Sequence, residues 1–379
     1  MVEVAFWSAV GLIVFTYAGY SLVILALSRV VHHPVKRAPI EPKTTYLITA
    51  YNEEKNIAAK LEQVLSLDYP KDKLEIIVAS DGSTDRTDEI VKGFADRGVR
   101  LIRVEGRVGK TETQNQAVRQ AGGDIIIFSD STTRYERSAI RNLVRNYADP
   151  AVGAVSGRYE YCNPTGAAIG LGSILFWKYE NLIKTLQTDI KTITGCCGCI
   201  YSVRREAYTP LPADIISDLV EPLKVLEKGY RIVFEPEAIA FEETTEKTKE
   251  EFHMRVRVIT RGMRGLLYMK ALFNPFRHGF VAFQLFSHKV LRWFIPVFLT
   301  VALVSNLFLV GVPFYNATLA LQLIFYALAL VGYVTERCDI LVKPLTIPLY
   351  FVTVNLAAVV AMYRVWKGHK AVIWETVRK

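Results

Sequence analysis

Residues 125–133 read Ile-Ile-Ile-Phe-Ser-Asp-Ser-Thr-Thr. Four consecutive apolar residues follow the chain break at Gly122-Gly123 and end in a polar, acid-bearing turn, the pattern of a buried strand of a parallel sheet. Asp130 stands at the carboxyl end of that strand, where open α/β sheets bind their ligands. A carboxylate there, beside bound phosphates, is placed to hold a divalent metal.

The residues before it alternate between strand and helix patterns. Strands are expected at 45–49, 74–79, 99–104 and 124–128, and helices at 53–67, 84–97 and 110–121. Repeated β-α units imply a parallel sheet with right-handed crossovers. Beyond 135 the pattern is less regular. Helices are expected near 137–147, 170–186 and 218–228, and strands near 152–161, 198–204 and 230–242.

The chain has 379 residues, 51% hydrophobic and 22% charged. Both fractions are high because the two kinds of residue are segregated. Residues 4–31 form an apolar run long enough to cross a bilayer. Arg29, His32, His33, Lys36 and Arg37 follow it, so the positive-inside rule places the segment after about residue 35 in the cytoplasm. Residues 290–312, 318–335 and 345–363 are further candidate spans, the first two separated by a short loop at 313–317. Between the second and third lies Glu336-Arg337-Cys338-Asp339. Residues 250–289 mix Arg255, Arg257, Arg261, Arg264, Lys270, Arg277 and Lys289 with apolar patches, which suits amphipathic helices at a membrane surface. Three spans after a cytoplasmic domain put the C-terminus outside, whereas the basic residues from 364 onward prefer the inside. The net charge of +9 belongs to these membrane flanks. No aromatic-interleaved basic stripe or nucleic-acid motif is present, which argues against nucleic acid as a partner. Five cysteines without regular spacing suit a reducing compartment, and Cys196-Cys197-Gly198-Cys199 lacks a second pair at zinc-like spacing.

Three turns carry chemistry-bearing side chains. Tyr51-Asn52-Glu53-Glu54 follows the first strand, where Glu53 or Glu54 either meets a ligand or simply favours the helix N-terminus. Ser80-Asp81-Gly82-Ser83-Thr84-Asp85 follows the second. Capping explains its hydroxyls but not Asp81, whose strand-end carboxylate suits a base or ribose. Gly106-Arg107-Val108-Gly109-Lys110-Thr111 superficially matches a phosphate loop, but residue 104 is Val where that motif needs Gly. Lys110 still opens a helix after a strand, where a cation meets a diphosphate. Thr111 and Asn115 lie beside it.

These stretches resemble family 2 of the inverting glycosyltransferases, in the membrane-anchored branch related to poly-N-acetylglucosamine, hyaluronan and cellulose synthases. The resemblance covers about residues 44–265. It also rests on Gly123-Asp124 running to Ser129-Asp130, Phe176-Trp177-Lys178-Tyr179-Glu180, Gly195–Tyr201 with Arg204-Arg205, and Ser217-Asp218 with Pro222-Leu223. It implies an α/β, GT-A fold with a Rossmann-like mixed sheet. Residues 1–35 would be a transmembrane anchor and 36–250 the GT-A domain. Interface helices would occupy 251–289, transmembrane segments 290–366 and a basic tail 367–379.

By the same resemblance, Tyr51, Glu53 and Asp81 contact the uracil and ribose of a UDP-sugar, and Lys110 and Asn115 lie near the nucleotide. Asp130 is the first acid of a Mg²⁺ or Mn²⁺ motif whose second position is here Thr132, a weaker ligand than a carboxylate. Asp218 is the general base, with Ser217 where an acid is common and Asp214 and Glu221 as nearby alternatives. Gly195 and its neighbours line the acceptor side. Trp177 either stacks on a sugar or packs in the core. Processive relatives carry Gln-x-x-Arg-Trp, and the best match is Met254-Arg255-Val256-Arg257-Val258, without the Gln and Trp. Arg257 and Arg261 remain to clamp a diphosphate. The expectation is a multi-pass cell-membrane enzyme with a cytoplasmic catalytic domain. It would transfer single sugars to a lipid-linked or oligosaccharide acceptor in surface polysaccharide synthesis, in contact with membrane lipids. Its alternatives are a processive synthase coupled to export and a catalytically decayed nucleotide-sensing regulator. Product length separates the first, and UDP binding without turnover the second.

Overall fold

A computed structural model describes residues 1–162, 168–245, 247–338, 340 and 342–369. Asp339 and the basic residues Lys370, Arg378 and Lys379 lie outside them. In chain order the strands are β1 (Thr44–Ala50), β2 (Leu74–Asp81), β3 (Val99–Val104), β4 (Ile125–Asp130), β5 (Arg134–Tyr135), β6 (Val152–Cys162), β7 (Ile200–Arg204) and β8 (Arg231–Glu243). The helices are α1 (Val2–Val30), α2 (Ile57–Leu65), α3 (Thr87–Lys92), α4 (Lys110–Gln120), α5 (Ala139–Val144), α6 (Ala168–Ile190), α7 (Ser217–Glu227), α8 (Thr248–Tyr268), α9 (Pro275–Leu307), α10 (Pro313–Arg337) and α11 (Thr346–Trp366).

The sheet order is β3-β2-β1-β4-β7-β6-β8-β5. β3, β2, β1 and β4 are parallel, β7 runs antiparallel between β4 and β6, and β8 pairs parallel with β6. The sheet is therefore mixed. Successive side chains of a strand point to opposite faces, so β1 and β4 feed two cores. Tyr46, Ile48, Ile125 and Ile127 meet Ile57, Leu61 and Val64 of α2 and Leu143 of α5. Leu47, Ile126 and Phe128 meet Ala117 and Val118 of α4 on the other face.

Helices 2 and 3 start later than their periodicity suggests, because polar residues tie the preceding turns to each other. Asn52 adopts a left-handed φ of 52°. The Glu53 amide donates to Thr87 Oγ1 at 2.7 Å, and the Glu54 and Thr87 amides donate to the Asp85 carboxylate at 3.1 and 3.0 Å.

Among the described residues, four helices are long and apolar enough to cross a membrane: α1, α9, α10 and the segment Lys343–Trp366 containing α11. α9 begins before the expected boundary at residue 290, with a kink at Gly279 (φ 34°, ψ −101°) that sets off its first turn. Asn274 caps it by accepting from the Phe276 amide at 3.0 Å, and Pro275 suits a first helical position. His288, Lys289 and Arg292 therefore sit within a long apolar helix, with His288 Nε2 3.2 Å and Arg292 2.6 Å from buried Glu180 of α6. Similarly, Pro313 starts α10 rather than a loop. The turn before it uses Gly311, at φ 108°.

α8 is amphipathic, as its charge pattern suggested. Its apolar side, with Leu266, packs on Leu219, Val220 and Leu223 of α7. α11 lies along it, with Ala358 and Ala361 against Ile259.

Candidate active site

The carboxyl ends of β1 and β4 open on a cavity of about 800 Å³. Its walls carry Glu53, Lys110, Asp130, Thr132, Trp177, Gly195, Asp218, Arg257 and Arg261. One fold feature thus gathers residues spread over two hundred positions.

Asp130 ends β4 and is held by the ammonium of Lys110, the first residue of α4. Burial opposes the charge on Lys110, but Asp130 and then Asp218 outweigh it, so its pKa lies above the ordinary value. Burial raises the Glu53 carboxyl, assisted by the nearby Asp130 charge. Thr132 donates to Glu242 Oε1 at 2.8 Å, which leaves its lone pairs for another partner. Asp130 and the Thr132 hydroxyl are hard oxygen donors at a strand end and fit a Mg²⁺ or Mn²⁺ whose other positions go to a diphosphate and water. Among the described residues, no three His, Cys, Asp or Glu side chains converge as a ready-made metal cage.

Asp218 is the second residue of α7, where the helix N-terminus favours negative charge. It is enclosed by the Gly195–Cys199 segment: the Cys196 amide donates to its carbonyl at 3.0 Å, and Gly198 faces its carboxylate so closely that a Cβ there would stand 2.4 Å from Oδ2. Its Oδ1 is buried without a hydrogen-bond partner among the described residues. Burial pushes its pKa up, against the pull of Lys110 and Arg261. A desolvated carboxylate with a spare oxygen is a base waiting for a proton donor. Arg261 donates to Thr111 Oγ1 at 3.1 Å and the Ile215 carbonyl at 2.8 Å, while its Nε is buried without a partner among the described residues. Trp177 packs edge-on against Tyr159 at 5.0 Å, yet its indole N–H also lacks one.

Three expected ligand-binding residues are not among the cavity's walls. Asn115 is a latch between α4 and the segment before α7. It donates to the Leu211 carbonyl at 2.8 Å and accepts from the Leu211 amide and Tyr208 hydroxyl at 3.1 and 2.9 Å. Its i+4 position from Thr111 gave no hint of those distant partners. The Asp81 carboxylate is fully buried and occupied by the Val108 and Gly109 amides and Thr113 Oγ1. It holds the turn that presents Lys110 and is not among the cavity's walls. Tyr51 is stacked under the Arg107 guanidinium, 3.9 Å from its ring centroid, beside the cavity. Cys197 and Cys199 are buried, their sulfurs 3.6 Å apart, and burial pushes the Cys199 thiol far up. Both pack in the core.

Two residues escaped sequence reasoning. Lys60 is fully enclosed beneath the Asp130 turn, donating to the Thr133 carbonyl at 2.5 Å, Ser129 Oγ at 2.9 Å and Tyr46 Oη at 3.0 Å. Burial drives its pKa down to about 7. Glu242 reaches the cavity from β8. In a periodicity argument, Lys60 is simply a charge on a helix and Glu242 a charge at a strand end.

Residues 45–210 match the model of glycosyl transferase family 2. The chain is 28% identical over 312 residues to a Bacillus subtilis protein named Probable glycosyltransferase YdaM, covering 78% of this chain and 73% of that one. It is 29% identical over 233 residues to a Staphylococcus aureus poly-beta-1,6-N-acetyl-D-glucosamine synthase, covering 59% of this chain and 55% of the synthase. The match thus spans about half the synthase's length. Its fold is similar to mannosyltransferase PcManGT from Pyrobaculum calidifontis, solved in complex with GDP-Man and Mn²⁺. The TM-score is 0.72 at 22% identity, over 97% of this chain and 100% of that one. The chain is a glycosyltransferase whose residues 45–210 match family 2, with a fold similar to that of a GT-A enzyme and, among the described residues, four helices long and apolar enough to cross a membrane.

Proposed function

We propose that this enzyme transfers one sugar, with inversion, from a UDP-sugar to a lipid-linked or growing glycan acceptor during surface polysaccharide assembly. The observation that carries the reading is the placement of Asp218. The residue lines a cavity with a Lys110–Asp130 pair on one wall and membrane-helix residues on another, and one of its carboxylate oxygens is buried without a partner among the described residues. Asp218 takes the proton of the acceptor hydroxyl as that oxygen bonds to the anomeric carbon and the bond to the diphosphate breaks. Lys110, Arg257 and Arg261 stand where they can meet the charge released on the diphosphate. A bound Mg²⁺ or Mn²⁺, held through Asp130 and Thr132, supplies Lewis-acid stabilisation of that leaving group. Tyr51, with Arg107 stacked on it, is positioned for the base, and Asp81 supports this corner through the turn it holds.

The acceptor class follows from the other wall. Leu175, Phe176, Ile347, Phe351 and Val354 come from helices at the membrane side and line the same cavity, with Lys289 and Arg292 among them. Apolar and cationic groups together suit a lipid carrier with an anionic head. The missing Gln and Trp of the processive motif favour single transfer. The test is nucleotide release from UDP- and GDP-sugars by purified enzyme in lipid nanodiscs, with product sizing. Release of UDP with one sugar added supports the reading, whereas release confined to GDP-sugars, or long products, refutes the corresponding part.

The membrane arrangement belongs to the same reading. α11 is proposed to lie along the membrane surface, leaving α1, α9 and α10 as crossings. Both of its ends sit beside α8. Near its start the Tyr350 hydroxyl accepts from Arg255 at 2.8 Å, and the His369 carbonyl, just after it, accepts from Arg264 at 3.1 Å. A crossing helix would carry one end away from the catalytic domain. This placement puts the residues after α11 on the catalytic side and reconciles the basic C-terminal stretch with the positive-inside rule.

A further inference from the structure

Thr132 occupies the position where a second acid is expected, and a carboxylate stands beside it from elsewhere in the fold. β5 pairs antiparallel with β8, Arg134 opposite Phe241 and Tyr135 opposite Ala240. This register brings Glu242 level with the turn after β4. Thr132 Oγ1 donates to one carboxylate oxygen at 2.8 Å, the Tyr159 hydroxyl donates to the other, and Glu242 lines the same cavity as Asp130. Both acids also act on Lys60 beneath the turn, where each favours the ammonium that burial disfavours. A separate observation comes from β1. Thr49 is the register partner of Asp130, it is 4% exposed, and it lines the cavity. Its hydroxyl has no hydrogen-bond partner among the described residues. A buried hydroxyl without a partner costs free energy unless something in the cavity meets it.

We infer that Glu242 supplies the second carboxylate of the metal–diphosphate site, with Thr132 and Tyr159 holding it in position. Hard divalent cations take oxygen ligands, and their affinity grows with the number of carboxylates. In this chain the pair is Asp130 from β4 and Glu242 from β8, distant in sequence, with Glu242 held by the hydroxyl of Thr132, two residues after Asp130. The inference rests on the glycosyltransferase reading of the cavity.

The test is Mn²⁺ binding by the full-length protein, read as free Mn²⁺ by electron paramagnetic resonance with and without UDP, independently of turnover. Glu242→Gln keeps an oxygen to accept from Thr132 and removes the charge. It is expected to weaken Mn²⁺ by roughly 10-fold or more, as is Asp130→Asn. Thr132→Asp added to Glu242→Gln returns a carboxylate to the turn and is expected to recover most of the loss. Unchanged Mn²⁺ affinity in Glu242→Gln, with the loss confined to Asp130→Asn, overturns the assignment of Glu242 and leaves the cavity reading standing. Unchanged affinity in both overturns the metal site at this strand end altogether. Should Glu242→Gln not fold, Glu242→Asp, which withdraws the charge by one methylene, is judged by the same criterion.

Discussion

Gly198 offers a direct measurement of how tightly the base is held. Its φ is not in the left-handed region, so alanine carries no conformational penalty there and the effect of Gly198→Ala is steric. The new Cβ would stand 2.4 Å from Asp218 Oδ2, 3.1 Å from its Cγ and 3.3 Å from its Cβ. Ordinary contact begins near 3.4 Å, so the carboxylate must retreat by about 1 Å, and a misplacement of that size at a reacting group is worth on the order of 100-fold in rate. Overpacking adds a stability loss of about 1–3 kcal/mol. The expected result is a kcat lowered roughly 100-fold with the donor KM nearly unchanged, because Lys110 and Asp130 lie on another wall. Gly122→Ala is the control. Its Cβ would stand 3.7 Å from the Glu75 carboxylate, an ordinary contact away from the cavity, and activity should stay within about 3-fold. The assay is steady-state nucleotide release, with thermal unfolding to confirm the fold. A Gly198→Ala enzyme with near-normal kcat would refute the argument that Asp218 acts from a fixed position.

Asp218→Asn should lower kcat by about 100- to 10,000-fold, the span of general-base contributions, while UDP still binds by calorimetry. The acid limb of kcat/KM should lie above the ordinary aspartate value, because burial raises Asp218. Arg261→Gln removes a cation that favours the charged form and should move that limb further up in a pH–rate profile. Glu221 is buried one turn after Asp218, and burial pushes its pKa up to about 8. The folded state therefore keeps a proton that the unfolded state releases near pH 4.5. That contribution to stability is complete below the unfolded pKa and is lost as pH rises toward 8, by about 1.4 kcal/mol per pH unit. Glu221→Gln should flatten this fall, seen as a smaller decrease in melting temperature between pH 5 and 8. Reporter fusions after residue 369 should report the same side of the membrane as the catalytic domain, and the opposite side would refute the lateral placement of α11.

Much of this protein was legible in its sequence because the signals are local. Apolar runs ending in Asp81 and Asp130 announce parallel strands and put their acids at the ligand edge, since a buried strand is apolar throughout and its polar end must face a turn. Ser217-Asp218 before an amphipathic segment announces a helix start, and the long apolar runs announce helices suited to a bilayer. What tertiary structure alone decided depends on pairings between distant residues. Asp81 and Asn115 look like ligand-binding groups until the loop at 106–109 and the Leu211 segment fold onto them and use their hydrogen bonds. Glu242 reaches Thr132 across 110 positions only through the register of β8 with β5, which no periodicity encodes. α11 has the composition of a membrane span, yet hydropathy measures what a helix can be buried in, not which way it lies. The placement proposed for it rests on its contacts with α8.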